Sequence, residues 1–472
     1  MRTTHPQLSF ADLEFLHQGI HLDPALQAVS DLLDQQAETV ELVRQDLQRG
    51  LKNPTTGRNG INPAQVLRSL ILMRVKNWDY RELRERIGDG YTLRRFTGFD
   101  SHPVPKHDAF NRAFLRLTPE TLERINGVVV KAAIDLGLED GSQLRVDTTV
   151  VETNIHYPTD ATLLWDSVRV ITRLVRELGE KLPTGVTGFT NRTRSARRRM
   201  QEIQRMTPRQ RRDQQLPKYR QLLRVTEQVV ANARAVVEKT DGVSQAIDPI
   251  DRLIIDHLRQ QIRHFCELAE LVVDQTRRRV VEGETVPSQQ KLYSIFEPHT
   301  DLIKRGKAQK PVEFGHKVFL AESAQGLITD YRVLDGNPSD EDHVPASLEQ
   351  HRQIFSRPPE LYSGDRGFYS QNNVKRCEQA GVTEVCIPQR GGKKTADREL
   401  YEKRPAFRKG QRFRAGIEGT ISVLFRGRGM KRCPARGRQR FEVFVGAAVL
   451  TNNLMRIAEL LRKRSAPRRQ AA

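Results

Sequence analysis

The sequence predicts an α/β fold: a mixed sheet with helices on both faces, preceded by a helical domain and carrying a large all-helical insertion after its first strands. Three observations lead there. Residues 1–140 repeat apolar side chains at helical spacing. The run Leu-Arg-Val-Asp-Thr-Thr-Val-Val (144–151) is β-branched and almost continuously apolar, the pattern of a central strand covered on both sides. Residues 165–285 return to helical periodicity before strand patterns resume after Pro287.

In the N-terminal domain (1–140), Val66, Leu67, Leu70 and Ile71, and later Leu122, Ile125 and Val129, mark apolar helix faces. Asn62-Pro63 and Thr118-Pro119 are start signals, a capping side chain followed by a proline whose missing N–H is not needed in the first turn. Between them Tyr80–Ile87, Thr92–Phe96 and Lys106–Leu117 read as short helices joined by Gly88, Gly90, Gly98 and Pro103. Short helices with tight turns suit a helix-turn-helix module whose last helix (His107, Asn111, Arg112, Arg116) enters a major groove; a purely structural helical domain fits the same pattern.

The catalytic fold would then occupy 141–164 and 286–461, divided by the insertion 165–285. Val168, Ile171, Leu174, Val175 and Leu178 open the insertion's helices, and its arginine-dense stretch Arg192–Arg212 is either a solvated turn or a DNA-backbone contact. Val312–Leu320 alternates and predicts a hairpin with Leu327–Leu334 across Ser323–Gly326. Of its residues, His316 reads as a sheet-packing side chain, with His316 or Lys317 at a scissile phosphate as the rival reading. A helix follows Pro338-Ser339, and Asp340, Glu341 and Asp342 read as a first turn that complements the helix dipole. Next come a strand ending at Asp365, a helix Gln371–Ala380 capped by Ser370 and stopped by Gly381, a strand Thr383–Ile387, a helix around Glu418 and a C-terminal helix Phe444–Leu461. The tail Arg462–Ala472 reads as disordered.

Charge narrows the function. The chain has 78 Lys+Arg against 58 Asp+Glu, a formal +20. Cys386–Ala472 holds 23 basic and 6 acidic residues, net +17, which leaves only +3 for residues 1–385. Segregated positive charge interleaved with Phe407, Phe413, Phe425, Phe441 and Phe444 points to a polyanion at one surface. Cys266, Cys377, Cys386 and Cys433 have no C-x-x-C pairing, so neither a zinc knuckle nor a disulfide framework is expected. No signal segment or run of eighteen apolar residues is present, and a cytoplasmic, nucleoid-associated, prokaryotic location without membrane contact is expected.

Three acids stand out within this frame. Asp147 lies inside the apolar strand, where a carboxylate costs several kcal/mol, roughly, unless a cation or hydrogen bonds offset it. Asp365 ends a strand 218 residues later, and Glu418 lies 53 beyond that among arginines. Three carboxylates on a basic protein are the ligand set that two divalent cations, typically about 3.5–4 Å apart, need to break and make phosphodiester bonds. Magnesium suits because it keeps waters and substrate oxygens in its shell. Glu418 could instead be a surface ion pair with Arg414 four residues earlier. Gly416 and Gly419, poor helix formers beside it, suggest close approach by a sheet or a DNA strand.

The motifs Arg-Val-Asp-Thr-Thr-Val-Val-Glu-Thr-Asn-Ile (145–155), Phe-Gly-His-Lys-Val (314–318), Gly-Asn-Pro-Ser-Asp-Glu-Asp (336–342), Tyr-Ser-Gly-Asp-Arg-Gly-Phe-Tyr-Ser (362–370) and Arg-Ala-Gly-Ile-Glu-Gly (414–419), with the helical region from about Asn62 to Asn126, resemble those of the DDE transposases of bacterial insertion sequences. The resemblance implies an RNase H-like catalytic domain, with Asp147, Asp365 and Glu418 as the catalytic residues and the ligands of two Mg2+ or Mn2+ ions. It implies binding of terminal inverted repeats, strand cleavage, attack of the freed 3′ hydroxyl on target DNA, and a dimer or larger assembly. Arg412, Arg414, Arg426, Arg428, Lys431 and Arg432 would hold the DNA backbone. Some relatives carry Y-x2-R-x3-E-x6-K around the third acid; here Arg414 and Glu418 fit, while Gln411 and Phe425 stand at the Tyr and Lys positions, which suggests an ISNCY-like or related branch. A nuclease of the same fold that cuts without joining, or an inert DNA-binding regulator derived from a transposase, are the alternatives.

Overall fold

Capping starts the helices where the sequence places the signals. Asn62 accepts from the backbone N–H of Ala64 in a capping box with Gln65, and Thr118 accepts from Thr121. The computed structural model describes residues 10, 21–53, 56, 60–240, 248–304 and 311–465. These fall into two compact units, Met1–Glu152 with His316–Ala472, and Thr153–Gly315.

The first unit opens with helices α1 (Pro24–Gln35), α2 (Ala37–Gln48), α3 (Pro63–Lys76), α4 (Tyr80–Asp89), α5 (Tyr91–Thr97), α6 (His107–Phe114) and α7 (Pro119–Asp135), followed by strand β1 (Gln143–Thr153). The second unit holds α8 (Asp160–Lys181), α9 (Thr193–Arg205), α10 (Pro208–Thr240) and α11 (Pro249–Thr276), packed around Leu164, Ile171, Leu222, Val229, Ile262 and Cys266, and ends in β2 (Asp301–Lys304). The stretch Arg192–Arg212 is mostly helix rather than turn, and Arg198 and Arg199 both pair with Glu202.

Strand β3 (Val312–Ser323) pairs antiparallel with β2 through Val312–Gly315 and with β4 (Ile328–Val333) through Val318–Glu322, the hairpin expected from the alternation. Then follow α12 (Val344–Phe355), β5 (Leu361–Ser363), α13 (Gln371–Gln379), β6 (Glu384–Cys386), α14 (Ala396–Lys403), α15 (Pro405–Gly427), β7 (Arg432–Cys433) and α16 (Arg438–Ser465). In the first unit the strand order is β3-β1-β5-β6, with β4 also on β3 and β7 on β1. β1, β5 and β6 are mutually parallel and β3/β4 antiparallel, so the sheet is mixed.

Alternation along the strands sends side chains to two cores. Leu144, Val146, Phe319 and Tyr362 pack with Val344 and Leu348 of α12 and Cys377 of α13. Val151, Val318 and Leu320 pack with Ile417 and Leu424 of α15 and with Phe441 and Val445 of α16. Helices therefore cover both faces. The N-terminal helices gather around the far half of α16, with Val66, Ile71, Leu122 and Ile125 meeting Leu450, Leu454 and Ile457.

Helix α16 is long and apolar enough by composition to cross a membrane, but 72% of its apolar window is buried in the protein, as befits a core helix. It extends beyond the expected Phe444–Leu461 at both ends, so Arg462–Ser465 are helical; the rest of the tail expected to be disordered lies outside the described residues.

Candidate active site

Two of the three acids are brought together by strand register. Arg145 of β1 stands opposite Ser363 of the parallel strand β5. Asp147 and Asp365 each lie two residues further on in the same direction, so they emerge side by side where the pair of strands ends. The ionised forms of Asp365 and Asp340 both act to raise the pKa of Asp147.

Asp147 is 9% exposed. Burial pushes its pKa up from 3.8 to about 6, against the opposing pull of Arg414 and of the Thr148 backbone N–H. Arg414 Nη2 donates to Asp147 Oδ2 at 3.0 Å, and its Nη1 donates to Glu418 Oε1 at 3.0 Å. One guanidinium from α15 thus joins the first and third acids, and Glu418 itself remains 66% exposed. The ion pair with Arg414 at i,i+4 is real, and the same arginine ties Glu418 to Asp147. Asp365 caps the 3-10 turn Arg366–Phe368 by accepting from Gly367 N at 2.7 Å. It is therefore both a turn residue and a neighbour of Asp147.

The three acids do not form a closed cage. Among the described residues no group of three His, Cys, Asp or Glu side chains stands close enough to hold a metal ion. The convergence expected of Asp147, Asp365 and Glu418 is in this respect incomplete, because the Arg414 side chain lies between Asp147 and Glu418 and answers their charge.

A fourth acid belongs to the same place. Asp340 lies with Glu341 and Asp342 in the acidic first turn ahead of α12, as expected, but its carboxylate is not spent on a cap of that turn. Asp340 Oδ1 instead accepts from Thr148 Oγ1 at 2.9 Å and from Lys317 Nζ at 2.6 Å. Its Oδ2 lies against Gly367, where a Cβ would come within 2.6 Å of it and within 3.0 Å of Asp365 Oδ1. Gly367 is therefore the residue that lets the two carboxylates close in. The only signal in the sequence was the motif Gly-Asn-Pro-Ser-Asp, since three acids ahead of a helix fit a dipole equally well. Lys317 also donates to Pro338 O at 2.8 Å. His316 packs edge-on against Phe441 at 4.9 Å and meets Arg438 Nη1 at 2.7 Å, the sheet-packing arrangement.

Arg145 shapes the floor. Its guanidinium donates twice to the fully buried Glu322, at 3.0 and 2.8 Å, and once to Phe413 O of α15 at 2.7 Å. Gly416 makes room for it, since a Cβ there would lie 2.2 Å from Arg145 Nη1, while Gly419 faces open space. The close approach expected at the two glycines holds for Gly416, and the sheet is what approaches. Gln411, at the Tyr position of the relatives' motif, donates to Gly364 O at 3.2 Å and so ties α15 to the loop before Asp365.

Several arginines assigned to DNA are committed elsewhere. Arg116 lies beyond the end of α6 and donates to Asp46 O and Arg49 O. Arg428 is turned inward, donating to Val75 O at 3.2 Å. Arg432 pairs with Glu152 at 2.8 Å. Arg412, Arg426, Lys431 and Arg112 are exposed. His107 pairs with Asp108, and Asn111 lines a cavity between helices.

The Transposase DDE domain family matches residues 270–454, and the Transposase domain (DUF772) family matches residues 17–116. The chain belongs to the insertion-sequence DDE transposases. The first match contains Asp340, Asp365 and Glu418, and Asp147 falls between the two matched segments. No curated protein and no solved structure gives a significant match.

The raised pKa of Asp147 has a consequence for this transposase's stability. An acid held at about 6 in the fold and at 3.8 outside it binds its proton more tightly when folded. The stabilisation is complete below about pH 4 and is lost as pH rises to about 6, after which an ionised buried carboxylate weighs against folding. Asp147→Asn is expected to raise the melting temperature by a few degrees at neutral pH and by little near pH 4, measured by thermal unfolding across pH. An equal shift at both ends of the range would contradict the assignment of a raised pKa.

Proposed function

We propose that this transposase binds the ends of its own element and catalyses metal-dependent DNA cleavage and strand transfer, on an RNase H-like catalytic domain. The observation that carries the reading is the pairing of Asp147 with Asp365 at the ends of adjacent parallel strands, with Glu418 joined to Asp147 through Arg414. Buried or half-buried like charges so close together call for a cation. The donor set is all carboxylate oxygen, which fits magnesium or manganese rather than a softer metal. Asp147 and Asp365 would hold the metal, with Glu418 completing the set. When bound, divalent ions supply a lowered pKa for the attacking water or hydroxyl and neutralise charge on the leaving 3′ oxygen.

The chain's own groups do the rest. Lys317 and Asp340 fix the loop that carries Asp365 through Gly367. Arg414 would exchange its bonds to Asp147 and Glu418 for a phosphate once those carboxylates turn to the metal, and its planar fork is suited to that. Arg412, Arg426 and Lys431 supply exposed positive charge for the backbone. Joining two ends to a target implies a dimer or larger assembly on DNA.

The test is incubation of the protein with labelled duplex carrying the element's terminal repeat, with magnesium or manganese. Nicked and joined products are expected. Cleaved ends with no joined product in either metal would make it a nuclease, and no strand breakage at all would leave a DNA-binding regulator.

A further inference from the structure

We propose that the cavity between α3, α4, α6 and the start of α16 takes one unstacked nucleotide of the DNA, its base among aromatic rings and its phosphate on Arg74. The proposal rests on the DNA-binding reading above and adds a second, separate contact site. The cavity measures about 490 Å³, within the roughly 300–1,000 Å³ of ligand pockets.

Arg74 is the observation that asks for a ligand. It is 7% exposed and lines the cavity. Its guanidinium lies 4.9 Å over the Phe444 ring. Among the described residues no carboxylate pairs with it, whereas the enclosed Arg145 and Arg414 of the same unit meet Glu322 and Asp147. A buried cation without an anion is unfavourable, and the carboxyl end of α3 offsets only part of that. An anion from outside would complete the pairing.

The walls say what kind of anion. Trp78, Tyr80, Phe114 and Phe444 all contribute to the lining, and aromatic rings are groups on which any base can stack. Asn111 offers an amide to a base edge. Arg436 and Arg440 stand at exposed positions of the lining. The single acid there, Asp79, already caps α4 by accepting from Arg81 N and Glu82 N. Three arginines against one aspartate leave the lining at +2. An apolar peptide side chain would use the rings and leave Arg74 unanswered, while an extruded nucleotide supplies both a π face and a phosphate.

The chain has two tryptophans, Trp78 and Trp165, so Trp165→Phe leaves Trp78 as the sole reporter. In that background, titration with pentathymidylate is expected to quench Trp78 fluorescence. Arg74→Met is expected to weaken the oligonucleotide by roughly ten- to a hundredfold, the loss of a charge-assisted hydrogen bond. The same variant should raise the melting temperature, because it removes an unpaired buried charge, and should leave duplex binding unchanged. Arg440→Ala, at an exposed position of the lining, is expected to weaken the oligonucleotide several-fold as an independent second readout. Duplex binding without any Trp78 quenching, or unchanged affinity in the variants, overturns the proposal and spares the DNA-binding reading. A lowered melting temperature in Arg74→Met makes the arginine structural and also overturns it. Quenching that depends on protein concentration without DNA would make the cavity an interface between copies. Loss of both duplex and oligonucleotide binding in the parent protein overturns both readings.

Discussion

Asp147→Asn and Asp365→Asn are each expected to lower DNA cleavage by roughly a thousandfold or more, since on the proposed mechanism each would remove a ligand from ions that would stabilise the reacting phosphate by several kcal/mol. The measurement is single-turnover strand nicking on labelled end DNA with magnesium, alongside duplex binding. Binding should persist, because the exposed Arg412, Arg426 and Lys431 are untouched. Folding should persist too, since the asparagine relieves the desolvation that raises the pKa of Asp147. Glu418→Gln should follow the same pattern, whereas Asp340→Asn, which acts through Lys317 and Gly367 on the position of Asp365, should lose less. Cleavage within a few-fold of the parent in either Asp147→Asn or Asp365→Asn would remove these residues from the chemistry.

The largest stability effect is expected at Arg145. Among the described residues, Arg145→Met leaves Glu322, which has no solvent exposure, with only the hydroxyl of Thr420 at 2.7 Å. An uncompensated buried carboxylate destabilises by about 3–5 kcal/mol. Denaturant unfolding should show this loss, and the double variant Arg145→Met with Glu322→Met should recover much of it, because the charge that needed pairing is then gone. If the double variant is as unstable as the single one, the loss comes from packing against Phe413 and Gly416 rather than from the charge.

What was legible in the sequence were features with a local cause. Asn62-Pro63 and Thr118-Pro119 began helices because cap and proline act within one turn. Alternation around Ser323–Gly326 gave the hairpin, and Ser370 with Gly381 bracketed α13. Asp147 was visible because a charge in a β-branched run has no local explanation. Its nearness to Asp365 was not, since that depends on which residue of β5 faces Arg145, and no pattern within either strand encodes a register across 218 residues.

Asp340 was hidden by the opposite circumstance. A sufficient local reason existed, three acids before a helix, while its true partners Thr148 and Lys317 lie on other strands. Arg116 and Arg428 read as surface cations because their acceptors are backbone carbonyls of distant segments, Arg49 and Val75, which carry no charge to see in a sequence. Arg414 combined both situations: its pairing with Glu418 is helical spacing, and its reach to Asp147 is tertiary.

Metal exchange in a cysteine variant bears most directly on the role of the carboxylates. Asp147→Cys and Asp365→Cys would replace a proposed hard oxygen ligand with a sulfur that magnesium avoids and manganese tolerates better. With labelled end DNA, each variant should be inactive in magnesium and regain cleavage in manganese, while the parent works in both. A variant as active in magnesium as the parent, or a parent indifferent to chelation of divalent ions, would contradict the account.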